Sequence, residues 1–430
     1  MTTLAAAPAV TPISGGIDPR RPIPAPGSLN VDWEERWNVD RLRSYRLARA
    51  KAALAASDLG ALLLFDFNNT RYVTSTHIGE WARDKMTRFS LLTRGGELHI
   101  WDFGSAARHH RLNCPWLPVE NIHAGMIGLR GGVAPEAGLF TGAAREIAAI
   151  LRSEGVADMP LGVDLIEPPM HAALMAAGID VRDGQQVMLD AREVKSIDEI
   201  ILLNTSAAMV DGAYQLIAEE LKPGVRESEL VARVTKFLLD LGSEHVENIN
   251  AVSGERCSPH PHVFSDRIIR PGDQAFFDII HSFVGYRTCY YRTFNVGKAN
   301  QAQRDAYKQA REWIDASIEL MRPGVMTDQV ARVWPRAEEF GFDNEMECFG
   351  LQFGHSVGLF LHERPIISRL NSLEHPVEIK EGMVIALETY CPAKDGFSAA
   401  RIEEEVVVTA DGPRVITLFP ADELFVANAY

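Results

Sequence analysis

Two segments in the second half of the chain are each repeated about 100 residues further on. LKPGVRESELVARV (residues 221–234) returns as MRPGVMTDQVARVW (residues 321–334), and PGDQAFFD (residues 271–278) returns as EGMVIALE (residues 381–388). In the second pair, a glycine is followed six residues later by a carboxylate that closes an apolar run. Two matches in the same order predict a duplicated helix-helix-sheet unit. Such a unit builds a pseudo-twofold sheet in which each half supplies acidic residues to a shared centre.

The chain ahead of this repeat alternates helices and strands. A helix is predicted over residues 39–57, a buried strand over residues 61–67, and a hairpin around Gly95-Gly96. This alternation is typical of an α/β domain. Ser196 and Glu199 form a Ser-x-x-Glu capping box before a long apolar-periodic helix, so the boundary is placed there. The predicted organisation is a flexible tail (residues 1–34), an α/β domain (residues 35–194) and a second domain that holds the repeat (residues 195–430).

Composition narrows the classes of partner. The 430 residues carry a formal net charge of −15, which argues against nucleic acid and anionic membrane surfaces. Five scattered cysteines without a Cys-x-x-Cys pair indicate a reducing compartment. The first basic residue is Arg20, so no signal peptide is expected at the N-terminus, and no stretch is expected to reach the ~18 apolar residues of a membrane span. We predict a cytoplasmic protein with no nucleic-acid or membrane partner.

Three carboxylates fall in strand-like patterns: Asp278, Glu388 and Glu403. A buried carboxylate is costly unless it is paired or bound to a cation. In the run EEEVVVT only alternate residues share a face, so Glu403 and Glu405 point one way and Glu404 the other. Asp278, Glu388 and Glu403 are therefore candidates for a cation site.

Four histidines accompany the carboxylates. FGHSVGLFLHERP (residues 353–365) holds His355 between two glycines, which allow close approach of backbone or ligand, and His362 follows. SGERCSPHPH (residues 253–262) adds His260 and His262 on either side of a proline. Because these two alternate, only one is expected to face the site, and the sequence leaves open which.

Two arginines lie near the candidate ligands. Arg292 and Arg401 are candidates for substrate binding, and charge balance for the carboxylates is the alternative interpretation.

The order Asp278, Cys289, His355, His362, Glu388 and Glu403 resembles the pita-bread metallopeptidases. That family holds methionine aminopeptidase, aminopeptidase P, prolidase and the non-peptidase creatinase. The resemblance covers roughly residues 196–420, and the preceding region resembles the N-terminal domain of prolidase and creatinase. It implies an α/β N-terminal domain followed by an α+β pita-bread catalytic domain with an internal pseudo-twofold repeat. It also implies a homodimer.

The family's five ligands are Asp, Asp, His, Glu and Glu, which hold two divalent ions. By resemblance, the metal ligands here are Asp278, Cys289, His355, Glu388 and Glu403, with Cys289 at the position of the second Asp. A thiol can ligate zinc beside imidazole and carboxylate. The resemblance therefore implies one ion rather than two, of zinc, manganese, cobalt or iron. Metal-free catalysis, with Cys289 as a filler, is the alternative.

The resemblance also implies the chemistry. The leading hypothesis is hydrolysis of a C–N bond in a small amino-acid-like or dipeptide substrate, as in creatinase, ectoine hydrolase or Xaa-Pro dipeptidase. His362, one of His260 and His262, and Glu388 would be catalytic. Cys289 favours a non-peptidase.

Two alternatives remain. One is a dimethylsulfoniopropionate lyase, whose branch resembles this chain around residues 253–272 but keeps the Asp replaced by Cys289. The other is a catalytically silent pita-bread binding protein, against which the surviving histidines and carboxylates argue.

Overall fold

A computed structural model describes residues 37–83, 85–125, 127–259, 261–348 and 353–430. The predicted tail, residues 1–34, lies outside the described residues. The α-helices are α1 (Val39–Ala56), α2 (Phe67–Thr74), α3 (Gly104–Asn113), α4 (Leu139–Ser153), α5 (Pro168–Ala176), α6 (Gln185–Arg192), α7 (Ile197–Glu220), α8 (Glu227–Asp240), α9 (Gln301–Glu319) and α10 (Thr327–Ala331).

The strands fall into an N-terminal and a C-terminal set. The N-terminal strands are β1 (Ala61–Leu64), β2 (Phe89–Thr93), β3 (Leu98–Asp102), β4 (Ile122–Ala124), β5 (Leu161–Val163) and β6 (Val181–Asp183). The C-terminal strands are β7 (His245–Ser253), β8 (Gln274–Phe283), β9 (Tyr286–Val296), β10 (Gly354–Ser356), β11 (Glu363–Ile367), β12 (Val384–Glu388), β13 (Cys391–Pro392), β14 (Ala399–Ala400), β15 (Glu403–Thr409), β16 (Gly412–Val415) and β17 (Phe425–Ala427).

The N-terminal strands form one mixed sheet in the order β4-β3-β2-β1-β5-β6. The hairpin predicted around Gly95-Gly96 is confirmed, because β2 and β3 pair antiparallel across it. The strand predicted over residues 61–67 ends early, at Leu64. The reason is Asp66, whose carboxylate accepts the backbone N–H groups of Asn68 and Asn69 and so caps α2.

Two further sheets build the C-terminal region, in the orders β17-β9-β8-β7 and β11-β10-β12-β15-β16. Helices α7 and α8 pack on the first sheet, and α9 and α10 pack on the second. The sheets meet where the backbone N–H of Cys289 in β9 donates to Glu405 in β15, at 2.8 Å. The duplicated helix-helix-sheet unit predicted from the sequence is therefore confirmed.

The repeat is also visible in single hydrogen bonds. The N–H of Gly224 donates to the carbonyl of Ile269 at 2.9 Å, and the N–H of Gly324 donates to that of Ile379 at 2.9 Å. Both glycines have positive φ, at +94° and +87°, a conformation that favours glycine. Each Pro-Gly-Val turn thus opens a helix and anchors the chain that leads into the central strand of its sheet.

The junction near residue 195 is packed. The capping box between Ser196 and Glu199 is confirmed at the start of α7. Separate apolar clusters belong to the N-terminal sheet and to the two C-terminal sheets, but a further cluster joins residues such as Leu42 and Leu202 across the junction. We keep residue 195 as the proposed start of the second domain, and this shared cluster indicates a rigid joint.

Helix α7 corrects one sequence prediction. This helix of 24 residues is long and apolar enough to cross a membrane, although no stretch was expected to approach that length. Half of its most apolar window is buried inside the protein, and a core helix meets the same length and composition criteria. Its apolar character is explained by its packing on β8 and β9.

Buried His281 on β8 provides a test of this packing. Its ring nitrogens lie 3.0 Å from the Ser206 carbonyl and 3.0 Å from Ser243 Oγ. Burial lowers the pKa of His281 from 6.5 to about 4, against the opposing effect of the Ser206 carbonyl. Between these two values the unfolded chain binds the extra proton, so stability falls as the pH falls from 6.5 towards 4.

We therefore predict that His281→Gln lessens the acid sensitivity of folding. Between about pH 7.5 and about pH 5, the wild type should lose about 2 kcal/mol more unfolding free energy than the variant. Denaturant unfolding at both pH values measures this difference, with the exposed His171→Gln as control. An equal acid-induced loss in wild type and His281→Gln would contradict the prediction.

Candidate active site

A cavity of about 570 Å³ lies between the two C-terminal sheets. Its lining is mostly polar and titratable, and Ile280, Leu361 and Ile366 are its aliphatic side chains. The lining residues are Asn248, Asn250, His262, Asp278, Ile280, Cys289, Tyr291, Leu361, His362, Ile366 and Glu388.

Strand register brings Asp278 and Cys289 together on one wall. In the antiparallel pair of β8 and β9, Asp278 lies opposite Tyr291, and Ile280 lies opposite Cys289. All four side chains therefore share one face of the sheet. The thiol of Cys289 donates to Asp278 Oδ1 at 3.4 Å. Asp278 was expected to close its strand, but β8 continues to Phe283, so this carboxylate is buried in mid-strand.

The second sheet brings His355, Glu388 and Glu403 to the opposite wall. Glu388 at the end of β12 pairs with Glu403 at the start of β15. His355 Nε2 lies 3.7 Å from Glu403 Oε1, and Cys289 Sγ lies 3.7 Å from Glu403 Oε2. One ligand atom from each of Cys289, His355 and Glu403 lies within 4.8 Å of the other two. A sulfur, a nitrogen and an oxygen donor thus converge at one point.

The atoms at this point fit a cation. His355 Nε2 and Glu403 Oε1 are buried, and neither makes a hydrogen bond to any residue that the structure describes. Buried polar atoms without partners cost free energy. A bound divalent ion would satisfy both atoms, and the mixed sulfur, nitrogen and oxygen set is one that zinc accepts.

The electrostatics of the buried groups favour the same interpretation. Burial raises the pKa of Glu403 well above its ordinary value, and the charges of Glu388 and Asp278 raise it further. Burial and then the charge of Glu388 raise the pKa of Asp278. Burial, followed by the same acidic neighbours, raises the pKa of Cys289. Without a cation, these groups reduce their mutual repulsion by binding protons.

His262 and His362 both line the cavity. The ring of His362 lies 4.4 Å from that of His355, centroid to centroid. Burial lowers the pKa of His262 and of His362, so both imidazoles are neutral and able to accept a proton at neutral pH. His260 lies outside the described residues, and the choice between His260 and His262 as the catalytic loop histidine stays a prediction.

Arg401 lies beside the carboxylates. Its Nη2 donates to Glu388 Oε2 at 3.0 Å, and its guanidinium lies 4.1 Å from the centre of the Tyr291 ring. The side chain is buried. These contacts favour charge balance for Glu388 over the substrate-binding role predicted for Arg401, which is not among the lining residues.

Arg292 points away from the cavity. Strand alternation places it on the face of β9 opposite to Cys289. Its guanidinium pairs with Glu404 at 2.8 Å and donates to the Glu403 carbonyl at 2.6 Å and to the Phe419 carbonyl at 2.9 Å. The substrate-binding role predicted for Arg292 is therefore corrected to a buried structural ion pair.

Two further residues, Asn250 and Tyr291, were missed from the sequence, and Glu405, which strand alternation had placed on the face of Glu403, makes an additional contact. Asn250 Nδ2 donates to Asp278 Oδ2 at 2.9 Å and lies 3.2 Å from the Tyr291 hydroxyl, and Glu405 accepts from the Cys289 backbone. Tyr291 could have been found as the next residue on the face of Cys289. Asn250 carries no local signal, because the pairing of β7 with β8 alone brings it to Asp278.

Residues 202–410 match the model of metallopeptidase family M24. Among characterised relatives, the dimethylsulfoniopropionate lyase DddP of Roseovarius nubinhibens is 26% identical over 90% of this chain and 87% of its own length. The Xaa-Pro dipeptidase of Pyrococcus furiosus is 31% identical over 54% of this chain. The chain spans 65% of that dipeptidase, slightly less than two thirds.

A solved structure agrees in fold. The dipeptidase PepE from Mycobacterium ulcerans superposes with a TM-score of 0.72 at 23% identity, over 91% of this chain and all of that structure. At this identity the likeness establishes the fold, with its N-terminal and pita-bread regions.

The two arginines provide a matched pair of variants. Arg292→Met should lower the unfolding free energy by about 3 kcal/mol, because it leaves Glu404 buried with only Arg311 as its cationic partner. It should leave the KM of the folded enzyme unchanged. Arg401→Met should lower kcat/KM at least about tenfold, since Glu388 loses its partner. Denaturant unfolding and steady-state kinetics separate the two effects. A raised KM in Arg292→Met would restore its substrate-binding role.

Proposed function

We propose that this chain, whose residues 202–410 match the model of metallopeptidase family M24, is a peptidase-like hydrolase of that family. It would cleave a C–N bond in a small amino-acid-like or dipeptide substrate. The observation that carries this proposal is the convergence of Cys289, His355 and Glu403 within 4.8 Å. Their meeting point adjoins the cavity that His262 and His362 line.

We propose further that Cys289, His355 and Glu403 hold a single divalent ion. A carboxylate offers two oxygen atoms that can each bind an ion, whereas Cys289 offers one sulfur. The thiol lies 3.4 Å from Asp278, so Asp278 would lie close to an ion bound by the sulfur. A bound ion supplies a Lewis acid beside the bond to be broken.

The side chains around this centre support hydrolysis by proton transfer. A neutral His262 or His362 accepts a proton from the attacking water as its oxygen bonds to the substrate carbon. The same proton is then delivered to the departing nitrogen, so that an amide bond yields an acid and an amine. Asn250 donates to Asp278 and Arg401 donates to Glu388, which fixes both carboxylates beside the reacting groups.

A second candidate is the lyase reaction. It is favoured by the similarity to the Roseovarius lyase, which extends over both the N-terminal and the catalytic regions. In that reaction a base removes a proton from dimethylsulfoniopropionate, and acrylate and dimethyl sulfide leave without consumption of water. Against it, the thiol at position 289 departs from the Asp that the lyase branch keeps. The homodimer and the cytoplasmic location stay predictions.

A substrate panel tests the proposed function. Purified protein loaded in turn with zinc, manganese, cobalt or iron is offered Xaa-Pro dipeptides, creatine, ectoine and dimethylsulfoniopropionate. We expect release of an amine or amino acid from one of the first three classes. Acrylate and dimethyl sulfide would instead establish the lyase, and no turnover of any substrate would favour a silent binding protein.

His355→Ala should lower kcat/KM by more than roughly tenfold on whichever substrate is turned over. The imidazole is buried and Nε2 faces Glu403, so the variant loses the nitrogen ligand of the proposed ion site. His171→Ala, at an exposed position on α5, is the matched control and should be fully active. A fully active His355→Ala would place the site elsewhere.

Cys289→Ala should lower bound metal and activity together, because one of three converging donors is lost. Cys289→Asp should shift the metal preference towards manganese or cobalt, since carboxylate oxygen is a harder ligand than sulfur. Elemental analysis after dialysis measures both changes. The control is Cys114→Ala, at a buried thiol of the N-terminal domain. A Cys289→Ala protein with unchanged metal content and activity would show that the thiol only fills space.

A further inference from the structure

A single buried carboxylate joins the start of the loop that carries His262 to a point three residues beyond His262. This loop connects β7 to β8, and the structure describes its residues 254–259 and 261–273. Glu227, the first residue of α8, lies beneath it and is 1% exposed. Glu227 lies outside the cavity lining and has no part in the chemistry proposed above.

Both oxygens of Glu227 are fully used. Oε1 accepts the backbone N–H of Ser253 at 2.8 Å and its hydroxyl at 2.7 Å, where the loop begins. Oε2 accepts the backbone N–H of Ser265 at 2.8 Å and its hydroxyl at 2.8 Å, beyond His262. Oε2 also forms an ion pair with Arg256. Hydrogen bonds to a charged group are stronger than neutral ones, so the start of the loop is firmly joined to the chain three residues after His262.

Arg256 extends this attachment to the residue next to His262. Its Nη2 donates to the Val263 carbonyl at 2.8 Å, and its Nη1 donates to Ser265 Oγ at 2.6 Å while pairing with Glu227. The chain directly after His262 is therefore connected to the buried carboxylate through one side chain. Rotation of that segment would move the imidazole relative to the cavity.

The second half of the repeat shows that the fold itself does not require a carboxylate here. Glu227 follows Gly224 by three residues, and Thr327 follows Gly324 by three. Thr327 opens α10 and exchanges two hydrogen bonds with Val377, both of 2.9 Å, through its N–H and hydroxyl. After the same turn in the other half of the repeat, the hydrogen bonds of a threonine are therefore sufficient to hold the chain. The additional acceptors of Glu227 serve the loop that bears His262.

We propose that Glu227 is a positioning residue that holds His262 towards the cavity by fixing the loop on either side of it, at Ser253 and at Ser265, together with Arg256. This inference rests on the proposed function, because His262 acts as a proton carrier only there. Glu227→Gln keeps the shape of the side chain but replaces one acceptor oxygen with an NH₂ group. The new NH₂ group faces an N–H donor and cannot accept its hydrogen bond. The negative charge that pairs with Arg256 is also lost.

A double-mutant cycle separates positioning from general destabilisation. On the substrate that the panel identifies, Glu227→Gln should lower kcat at least about tenfold with little change in KM. His262→Ala should lower kcat as well, and the double variant should be no slower than His262→Ala alone. Losses that multiply in the double variant would overturn the proposal, because Glu227 would then act independently of His262.

Amide hydrogen exchange supplies a readout that does not need turnover. Glu227→Gln and Arg256→Gln should each speed exchange in residues 254–259 and 261–265 while leaving β8 and β9 protected. The control is Glu255→Gln in the same loop, whose carboxylate is 59% exposed and paired with Arg267. It should leave exchange and kcat unchanged. Unaltered exchange in both test variants would overturn the proposal. A wild type without turnover would count against the proposed function alone, since exchange still decides the role of Glu227.

Discussion

The burial of several acidic groups at one point is the constraint on which this structure depends. Asp278, Glu388 and Glu403 converge with the thiol of Cys289 between two sheets, and burial raises the pKa of Asp278, Glu403 and Cys289. Only a partner of positive charge, or bound protons, can offset such a cluster. Arg401 offsets Glu388. His355 and Glu403 keep atoms without hydrogen bonds to the described residues, which is where a cation fits.

The duplicated unit explains how a chain can build such a cluster without losing its fold. Each half places a Pro-Gly-Val turn, two helices and a carboxylate-bearing strand in the same order, and the two strands then face each other across the cavity. The acids therefore lie on central strands, which are held by the sheet rather than by loops. His262, in contrast, lies on a long loop. This loop needs its own attachment, and Glu227 supplies ionic contacts that the other half of the repeat does without.

The sequence predicted the repeat and the capping box because these are local patterns. It missed Asn250 and misassigned Arg292, since both depend on which strands pair and which face each residue takes. Asn250 reaches Asp278 only through the β7–β8 register. Arg292 lies three residues after Cys289, an odd spacing that places it on the opposite face with Glu404. The predicted strand extended beyond the end of β1, because the sequence pattern assigned Asp66 to the strand and not to the N-cap of α2.

The central claim is that sulfur, nitrogen and oxygen from Cys289, His355 and Glu403 hold one ion. The most direct test is the metal content of wild-type protein after loading with zinc and dialysis, combined with X-ray absorption at the zinc edge. We expect one zinc ion per chain with a single sulfur ligand. Two ions per chain, or one ion bound by nitrogen and oxygen alone, would contradict the claim.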